Sequence, residues 1–409
     1  MRVVDLFCGA GGLSLGLRRV GFNVVQAYDC WDQAVAVYRK NVGPHAWQVD
    51  LRNIFKMGPM LASMAPDLVV GGPPCQDFSP AGDRVEGERA EMTKCFAMLV
   101  CIAKPSWIVM ENVPQASSSK SWSEARRMLF RAGYGLTEAK LNAAYYGVPQ
   151  TRKRLFVVGR LGEQDGFLNS ALASARTSEP MTIRSMLRSD DPDDQSLEEA
   201  EAFFTRPFYT GRGVRSLDEP APAVIRTTRE PPRPGYLASP HPDDPVPAAK
   251  AALLTQRQVA RIQGFPSNWD WADATSRDID QMIANAIPAP IAEAIGRVVL
   301  ARELGASIPE IHGRFGSWLL RSKGFSKAAV RNAKSRVNRA RRLLLGRTFS
   351  NGAVELAVLE ATEAFAKLST ATRSDLRKAL CLYREWQNEP KGRRVGAAKA
   401  DAKCEAAAA

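Results

Sequence analysis

Within its first twenty residues the chain runs from a short apolar strand, Val3-Val4-Asp5-Leu6-Phe7, into a glycine-rich turn, Cys8-Gly9-Ala10-Gly11-Gly12, and then into a helix opened by Leu13-Ser14-Leu15-Gly16-Leu17. Strand, glycine turn and helix form the first unit of a nucleotide-binding α/β domain. The glycines let a ligand lie against bare backbone, and the helix N-terminus offers free N–H groups. Taken alone, the same turn serves as often as a plain connection. Two further strand-like segments end in carboxylates. Val24-Val25-Gln26-Ala27-Tyr28 stops at Asp29, and Trp47-Gln48-Val49 stops at Asp50. An acid closing the second strand can accept hydrogen bonds from both ribose hydroxyls. The alternative is that Asp29 or Asp32 caps the helix that follows. Asp50 is placed to face an adenine amino group, so a purine nucleoside is the leading ligand.

Met64 to Val70 reads as a buried strand closed by Gly71-Gly72-Pro73-Pro74-Cys75-Gln76. In an open α/β sheet ligands bind at the carboxyl edge, where such a turn would lie. Two prolines stiffen the path into Cys75, so its thiol is well placed to be a nucleophile; the alternative is a small buried hydrophobe. Residues 83–90 read as a surface loop, and residues 94–103 as a helix ended by Pro105. The next strand, Ser106-Trp107-Ile108-Val109-Met110, leads to Glu111-Asn112. A carboxylate at an apolar strand end can hold a raised pKa and share a proton with a base ring, or it can be satisfied by backbone N–H groups. A helix over residues 123–132 precedes Gln150-Thr151-Arg152-Lys153-Arg154 and the strand from Leu155. Alternation puts Arg152 and Arg154 on one face and Lys153 on the other. Two guanidinium forks suit carboxylates, phosphates or a base carbonyl; a solvated edge is the plainer reading.

The length of 409 residues implies two or three domains with ample core. No secretory pattern opens the chain, and no apolar run approaches a membrane span. Seven cysteines at scattered spacings and three histidines give neither a disulfide framework nor zinc-site spacing. The expected setting is intracellular and reducing, as a free nucleophilic thiol requires. The net charge is +13, and residues 310–409 hold 21 Lys and Arg against nine acids, so twelve of those charges fall there. That balance suits a polyanion partner or a solvated tail.

Residues 161–250 change character: an acidic loop from Asp190 to Glu201, many prolines, and arginines mixed with aromatics between Phe203 and Arg212. They read as a small irregular second domain that contacts nucleic acid, or as a surface insertion. Helical pattern returns after Thr255, a candidate N-cap, and is stopped by Gly264 and Pro266. A helix follows Pro288. Residues 316–347 read as a helix or helical pair whose apolar stripe is Val330, Ala333, Val337, Ala340 and Leu344. Another helical stretch covers about 354–385, and the Lys- and Ala-rich residues after Pro390 are expected to be disordered.

In order and spacing these segments resemble the DNA (cytosine-5)-methyltransferases. Asp5 to Gly12 looks like that family's first motif, and Gly72-Pro73-Pro74-Cys75-Gln76 like its catalytic motif. Glu111-Asn112-Val113, Gln150 to Arg154, Arg257 to Pro266, and Asn285 with Pro288 match the later ones. The resemblance covers about 1–160 and 250–300. It implies a Rossmann-like α/β S-adenosylmethionine-dependent methyltransferase domain (1–160 with 251–309), a small irregular target-recognition domain (161–250), a basic helical C-terminal extension (310–390) and a tail (391–409). By the same resemblance Phe7, Gly9 and Gly12 pack on S-adenosylmethionine, Asp29 binds its ribose, Asp50 and Leu51 hold its adenine, and Pro74 and Asn285 complete the cofactor site. Cys75 is the expected nucleophile on carbon 6 of a flipped-out cytosine, Glu111 acts at ring N3 and the exocyclic amine, and Arg152 and Arg154 hold the base oxygen and orient Glu111 or the loop. The segment 77–93 is the expected lid.

The implied partner is double-stranded DNA, with a cognate restriction endonuclease acting on the same site and no membrane. The implied location is the cytoplasm, on the nucleoid. Two departures stand out: Ala284 replaces a glycine frequent in the family, and Trp31 replaces a frequent acid. Two other readings stay open, methylation of structured RNA and a non-catalytic DNA-binding regulator on the same fold. The extension lies outside the resemblance; its charge fits non-specific phosphate binding, and its rival reading is a helical scaffold for a protein partner.

Overall fold

The computed structural model describes residues 1–74, 91–207, 211–305, 311–344, 346, 349 and 352–388. Cys75, most of the expected lid, residues 208–210 and the expected disordered tail lie outside the described residues. The chain divides into two compact units, residues 1–161 with 165–299, and residues 162–164 with 300–409.

The first unit opens with β1 (Arg2–Leu6), α1 (Gly12–Arg19), β2 (Asn23–Asp29), α2 (Asp32–Asn41), β3 (Ala46–Gln48), α3 (Ile54–Met64) and β4 (Leu68–Gly71). It continues with α4 (Glu91–Ala103), β5 (Trp107–Asn112), α5 (Lys120–Arg131), β6 (Tyr134–Asn142), β7 (Gln150–Thr151) and β8 (Lys153–Leu161). Seven strands form one sheet in the order β3-β2-β1-β4-β5-β8-β6. The first five are parallel, and β8 runs antiparallel to both β5 and β6. β4 and β5 are buried along their whole length and β1 at all but its first residue, as expected for strands covered on both faces. Strand order reverses on either side of β1, between β2 and β4. In doubly wound sheets that switch point opens a crevice at the carboxyl ends.

The expected strand from Met64 begins instead at Leu68, because Met64 ends a helix that the apolar pattern did not separate from a strand. Asn53 caps α3 by accepting the N–H of Lys56, Met57 and Leu61 bury one face, and Ala65 closes it in a left-handed conformation. Apolar runs of this length are ambiguous when periodicity is the only guide.

After β8 come α6 (Asn169–Ser174), α7 (Pro192–Ala200), β9 (Ala202–Phe204), β10 (Val214–Ser216), β11 (Ala221–Pro222), α8 (Pro234–Ala238) and β12 (Ala252–Leu253). β10, β9 and β12 form a small sheet, and β11 pairs with β7. The segment expected as an acidic loop is largely the helix α7, with Asp191 as N-cap and Pro192 at its first position. Its acids have partners: Arg257 and Arg261 of α9 (Gln256–Ile262) pair with Asp191 and Asp194, and Gln258 donates to Asp194 at 3.1 Å. Those contacts span more than sixty residues, so composition alone read as solvated loop. α9 starts at the expected cap, with Thr255 and Gln258 closing a capping box.

α10 (Ser276–Asn285) and α11 (Ala289–Glu303) complete the unit, whose boundary falls within α11. Contrary to the expectation that no apolar run reaches membrane-span length, residues 276–303 attain a mean hydropathy of 1.3 over their best window. The stretch is two helices broken before Pro288, and Ile283, Ile287, Ile291 and Ile295 are buried in the protein. Its apolar character reflects packing.

In the second unit α12 (Gly313–Arg321), α13 (Lys327–Leu343), α14 (Gly352–Glu360), α15 (Glu363–Ala366) and α16 (Thr370–Asn388) surround Phe315, Leu319, Val337, Leu376 and Leu380. The expected stripe on α13 is buried as written, with Val330, Ala333, Val337 and Ala340 inside. Arg302 forms a fully buried ion pair with Glu163 at 3.1 Å. Such a pair is costly to break, since one charge would be left without its partner.

Candidate active site

The loops at the carboxyl ends of β1, β2, β4 and β5 meet in one cleft of about 350 Å³. That volume lies within the range of small-molecule sites. Phe7, Gly9, Gly12, Asp29, Pro74, Glu111, Arg152, Arg154 and Asn285 all line it. Nine of the twelve residues expected from the sequence are thus brought together, although Asn285 lies far along the chain.

The glycine turn explains itself locally. Phe7 adopts a positive φ of 63°, which is rare for a bulky residue and marks the end of β1 as strained. A side-chain carbon on Gly12 would run into the carbonyl oxygen of Ile287, so only glycine permits that approach. Asp29 accepts the N–H of Gly9 at 2.8 Å through one oxygen and the N–H of Trp31 at 2.9 Å through the other. It ties the glycine turn to the start of α2 and still faces the cleft. Burial raises its pKa, and these backbone donors oppose the rise.

Asp5 lies directly beneath that turn. Its Oδ2 accepts the Ser14 hydroxyl at 2.5 Å, and Tyr38 donates to the same Ser14 oxygen at 2.9 Å. Its Oδ1 is buried with no hydrogen-bond partner among the described residues. Burial pushes the carboxyl from 3.8 up to about 7; the Ser14 hydrogen bond lowers it and the Asp29 charge raises it. Because the folded-state value exceeds the ordinary one, the folded chain binds this proton more tightly than the unfolded chain. The corresponding stability is fully present below about pH 4 and is lost as pH rises toward 7. Asp5→Asn, which keeps an acceptor for Ser14, should therefore gain stability relative to the parent as pH rises from 5 to 8. Thermal unfolding of both chains across that range checks this, and parallel curves would contradict it.

Glu111 is the penultimate residue of β5 and is 9% exposed. Arg154 approaches its Oε1 at 3.0 Å through Nε. Burial raises the Glu111 pKa, while the charges of Arg154 and Arg152 lower it. The carboxyl therefore holds a proton more readily than an exposed glutamate and has a cation beside it when ionised. Arg152 also faces the cleft, but its guanidinium donates to the carbonyls of Val224 at 3.2 Å and Ala284 at 2.9 Å. It joins Ala284, near the end of α10, to the segment at Val224. Gln150 acts beside it, donating to Gln263 at 2.8 Å and accepting the N–H of Val224 at 3.0 Å.

Asp50 and Leu51 do not line the cleft. The Asp50 carboxylate is half exposed and pairs with Arg52 at 2.6 Å, which holds its pKa below the usual range. Leu51 is buried in the core beside Tyr28 and Met57. Other cleft residues were not singled out as binding residues from the sequence: Cys30, Trp31, Ala34, Met282, Ala286 and Ile287. Trp31 had stood out only as a departure from the family pattern. Nothing local marks Met282 and Ile287, whose position depends on how α10 and the following turn pack.

The family model for C-5 cytosine-specific DNA methylases matches residues 1–301. The chain belongs to the C-5 cytosine-specific DNA methylases. It is 37% identical over 302 residues to the type II methyltransferase M.HindV of Haemophilus influenzae, covering 73% of this chain and 96% of that one. It is 36% identical over 294 residues to M.HgiDI of Herpetosiphon aurantiacus, covering 71% of this chain and 92% of that one. Its fold is also that of the Dnmt2 methyltransferase of S. pombe, with a TM-score of 0.53 at 20% identity over 74% of this chain and 99% of that structure. As a C-5 cytosine-specific DNA methylase it is an enzyme, a DNA (cytosine-5-)-methyltransferase with a Rossmann-like α/β domain. Residues 302–409 lie outside the matched family region.

Proposed function

We propose that this methylase transfers a methyl group from S-adenosylmethionine to carbon 5 of a flipped-out cytosine in a specific duplex sequence, through a transient bond between Cys75 and carbon 6. The observation that carries the reading is one cleft shared by the glycine turn, the Asp29 carboxylate, the Glu111–Arg154 pair and the Pro73-Pro74 entry to Cys75. The residues fit the cofactor's chemistry. Phe7, Trp31, Met282 and Ile287 offer apolar walls, and Asp29 offers acceptors for ribose hydroxyls. When bound, S-adenosylmethionine supplies an electrophilic methyl group. Asp50 and Leu51 lack cleft contact, so the adenine contact assigned to them has no support from this geometry.

The reaction needs a nucleophilic carbon 5, and cytosine alone does not provide one. The Cys75 sulfur forms a bond to carbon 6, and the ring electrons move toward carbon 5 and N3. Glu111 meets the charge that develops at N3 with its proton, and Arg154 holds Glu111 in place. Once carbon 5 carries the methyl group, its proton leaves to a base, the carbon 5–carbon 6 double bond re-forms as the carbon 6–sulfur bond breaks and the thiolate departs, and N3 returns its proton to Glu111. The ring cannot be reached inside a stacked duplex, so the base must leave the stack at a cost of a few kcal/mol. Residues 161–250 take the role of target recognition in this reading. Arg226 and Arg233 are exposed there, with no acidic partner among the described residues. Arg152 links that segment to the cleft through Val224.

The names of the two relatives support a place in a type II restriction–modification pair, in which methylation protects cytoplasmic DNA from a cognate endonuclease. Bisulfite sequencing of DNA from cells expressing the chain should reveal full conversion protection at one short motif. A parallel assay on structured RNA decides against the DNA reading if only RNA is methylated.

A further inference from the structure

We propose that the solvent face of α13 is a docking surface for the phosphate backbone of duplex DNA, held by Arg331, Arg339 and Arg342. The proposal rests on the reading of this chain as an enzyme of duplex DNA and adds a second contact to it, on a helix outside the matched family region.

The helix itself makes the case. α13 buries Val330, Ala333, Val337 and Ala340 on one side, so its opposite side must face solvent. At 100° per residue that opposite side carries Arg331, Asn332, Ser335, Arg339 and Arg342, all of them exposed. Two other cations of α13 have partners. Arg336 pairs with Asp375 at 2.6 Å, and Arg341 is buried over the Tyr383 ring. Arg331, Arg339 and Arg342 have no acidic partner among the described residues, and α13 contains no acid at all.

Between Arg331 and Arg342 the helix rises about 16 Å. A duplex places one phosphate charge roughly every 1.7 Å of its axis, so several phosphates face a helix of that reach. Asn332 and Ser335 between the arginines supply neutral hydrogen-bonding groups, which also contact phosphate oxygens. The same face carries no large exposed apolar side chain; among the described residues of this unit those are Leu304, Leu320 and Val354, all off α13. A docked protein or an inserted lipid surface would need an apolar centre, whereas a polyanion needs only the charge and the donors.

The test uses the full chain and an A·T-only duplex, which offers no cytosine to extrude. Anisotropy titrations from 50 to 200 mM salt give the salt slope directly. Replacing all three arginines by glutamine, which keeps helix propensity, should lower that slope by about 2.7, so the salt-dependent loss across this range shrinks about fortyfold. The lysine triple R331K/R339K/R342K should keep the parent slope, because the charge is retained. An off-face triple of equal charge change, R314Q/K367Q/K378Q, should flatten the slope less. Circular dichroism melting of each variant shows that it is folded. A parent-like slope in the glutamine triple, a flattened slope in the lysine triple, or equal flattening in the off-face triple overturns the proposal. Methyl transfer by the parent chain to cytosine-containing DNA is measured alongside. Its absence would count against the proposed catalytic function, while the A·T duplex still reports on α13 by itself.

Discussion

Replacing Cys75 by serine is expected to abolish methyl transfer while leaving S-adenosylmethionine affinity within a few fold of the parent. A hydroxyl is a far weaker nucleophile than a thiolate at neutral pH, and burial raises the pKa of the other two thiols that line the cleft, Cys8 and Cys30, away from the thiolate form. Cofactor affinity should survive because the cleft residues proposed to hold the cofactor — Phe7, Gly9, Gly12, Asp29 and Asn285 — are untouched. Two measurements together decide the matter: methyl incorporation into duplex DNA, and calorimetric binding of the cofactor. A folded variant that loses cofactor binding would move Cys75 out of the chemistry and into the cofactor site. Adduct formation on DNA carrying 5-fluorocytosine gives the complementary result. The missing carbon 5 proton should trap the parent chain and not the variant.

Glu111→Gln is the second large effect, an expected loss of about 10²- to 10⁴-fold in single-turnover methyl transfer. Glutamine preserves the shape of the side chain and an oxygen for Arg154 Nε, which lies 3.0 Å from Oε1 in the parent. It cannot carry a proton to ring N3 or balance charge there. Burial, the largest influence on Glu111, raises its pKa against the opposing charges of Arg154 and Arg152 and so favours its protonated form relative to an exposed glutamate. The alternative role is structural, a buried partner for Arg154. Loss of rate below about tenfold, accompanied by a lowered melting temperature, would favour the structural role, because proton chemistry contributes more than that.

The site was legible in the sequence wherever a residue lies next to the end of its own strand. Gly9, Gly12, Asp29, Pro74 and Glu111 all follow an apolar run by a few residues, and strand ends converge at one edge of a parallel sheet. The same logic was incomplete at Asp50, which also follows a strand. Its side chain turns to Arg52 two residues away and leaves the cleft. Alternation placed Arg152 and Arg154 on one face, and both reach the cleft, but their partners differ. Arg154 meets Glu111, whereas Arg152 meets carbonyls 72 and 132 residues distant. No local pattern encodes those partners.

Local pattern by itself determined the glycine turn, the carboxylates near the ends of β2 and β5, the Thr255 N-cap of α9 and the buried stripe of α13, because each depends on neighbours within one or two turns of chain. Tertiary packing decided the rest. It turned the acidic stretch into α7 by setting Arg257 and Arg261 against Asp191 and Asp194, and it brought Met282 and Ile287 to the wall of the cleft. It also drove the Asp5 carboxyl toward neutrality by closing the core over it. Burial and long-range pairing are sums over atoms remote in the chain, and a window of residues contains none of those atoms.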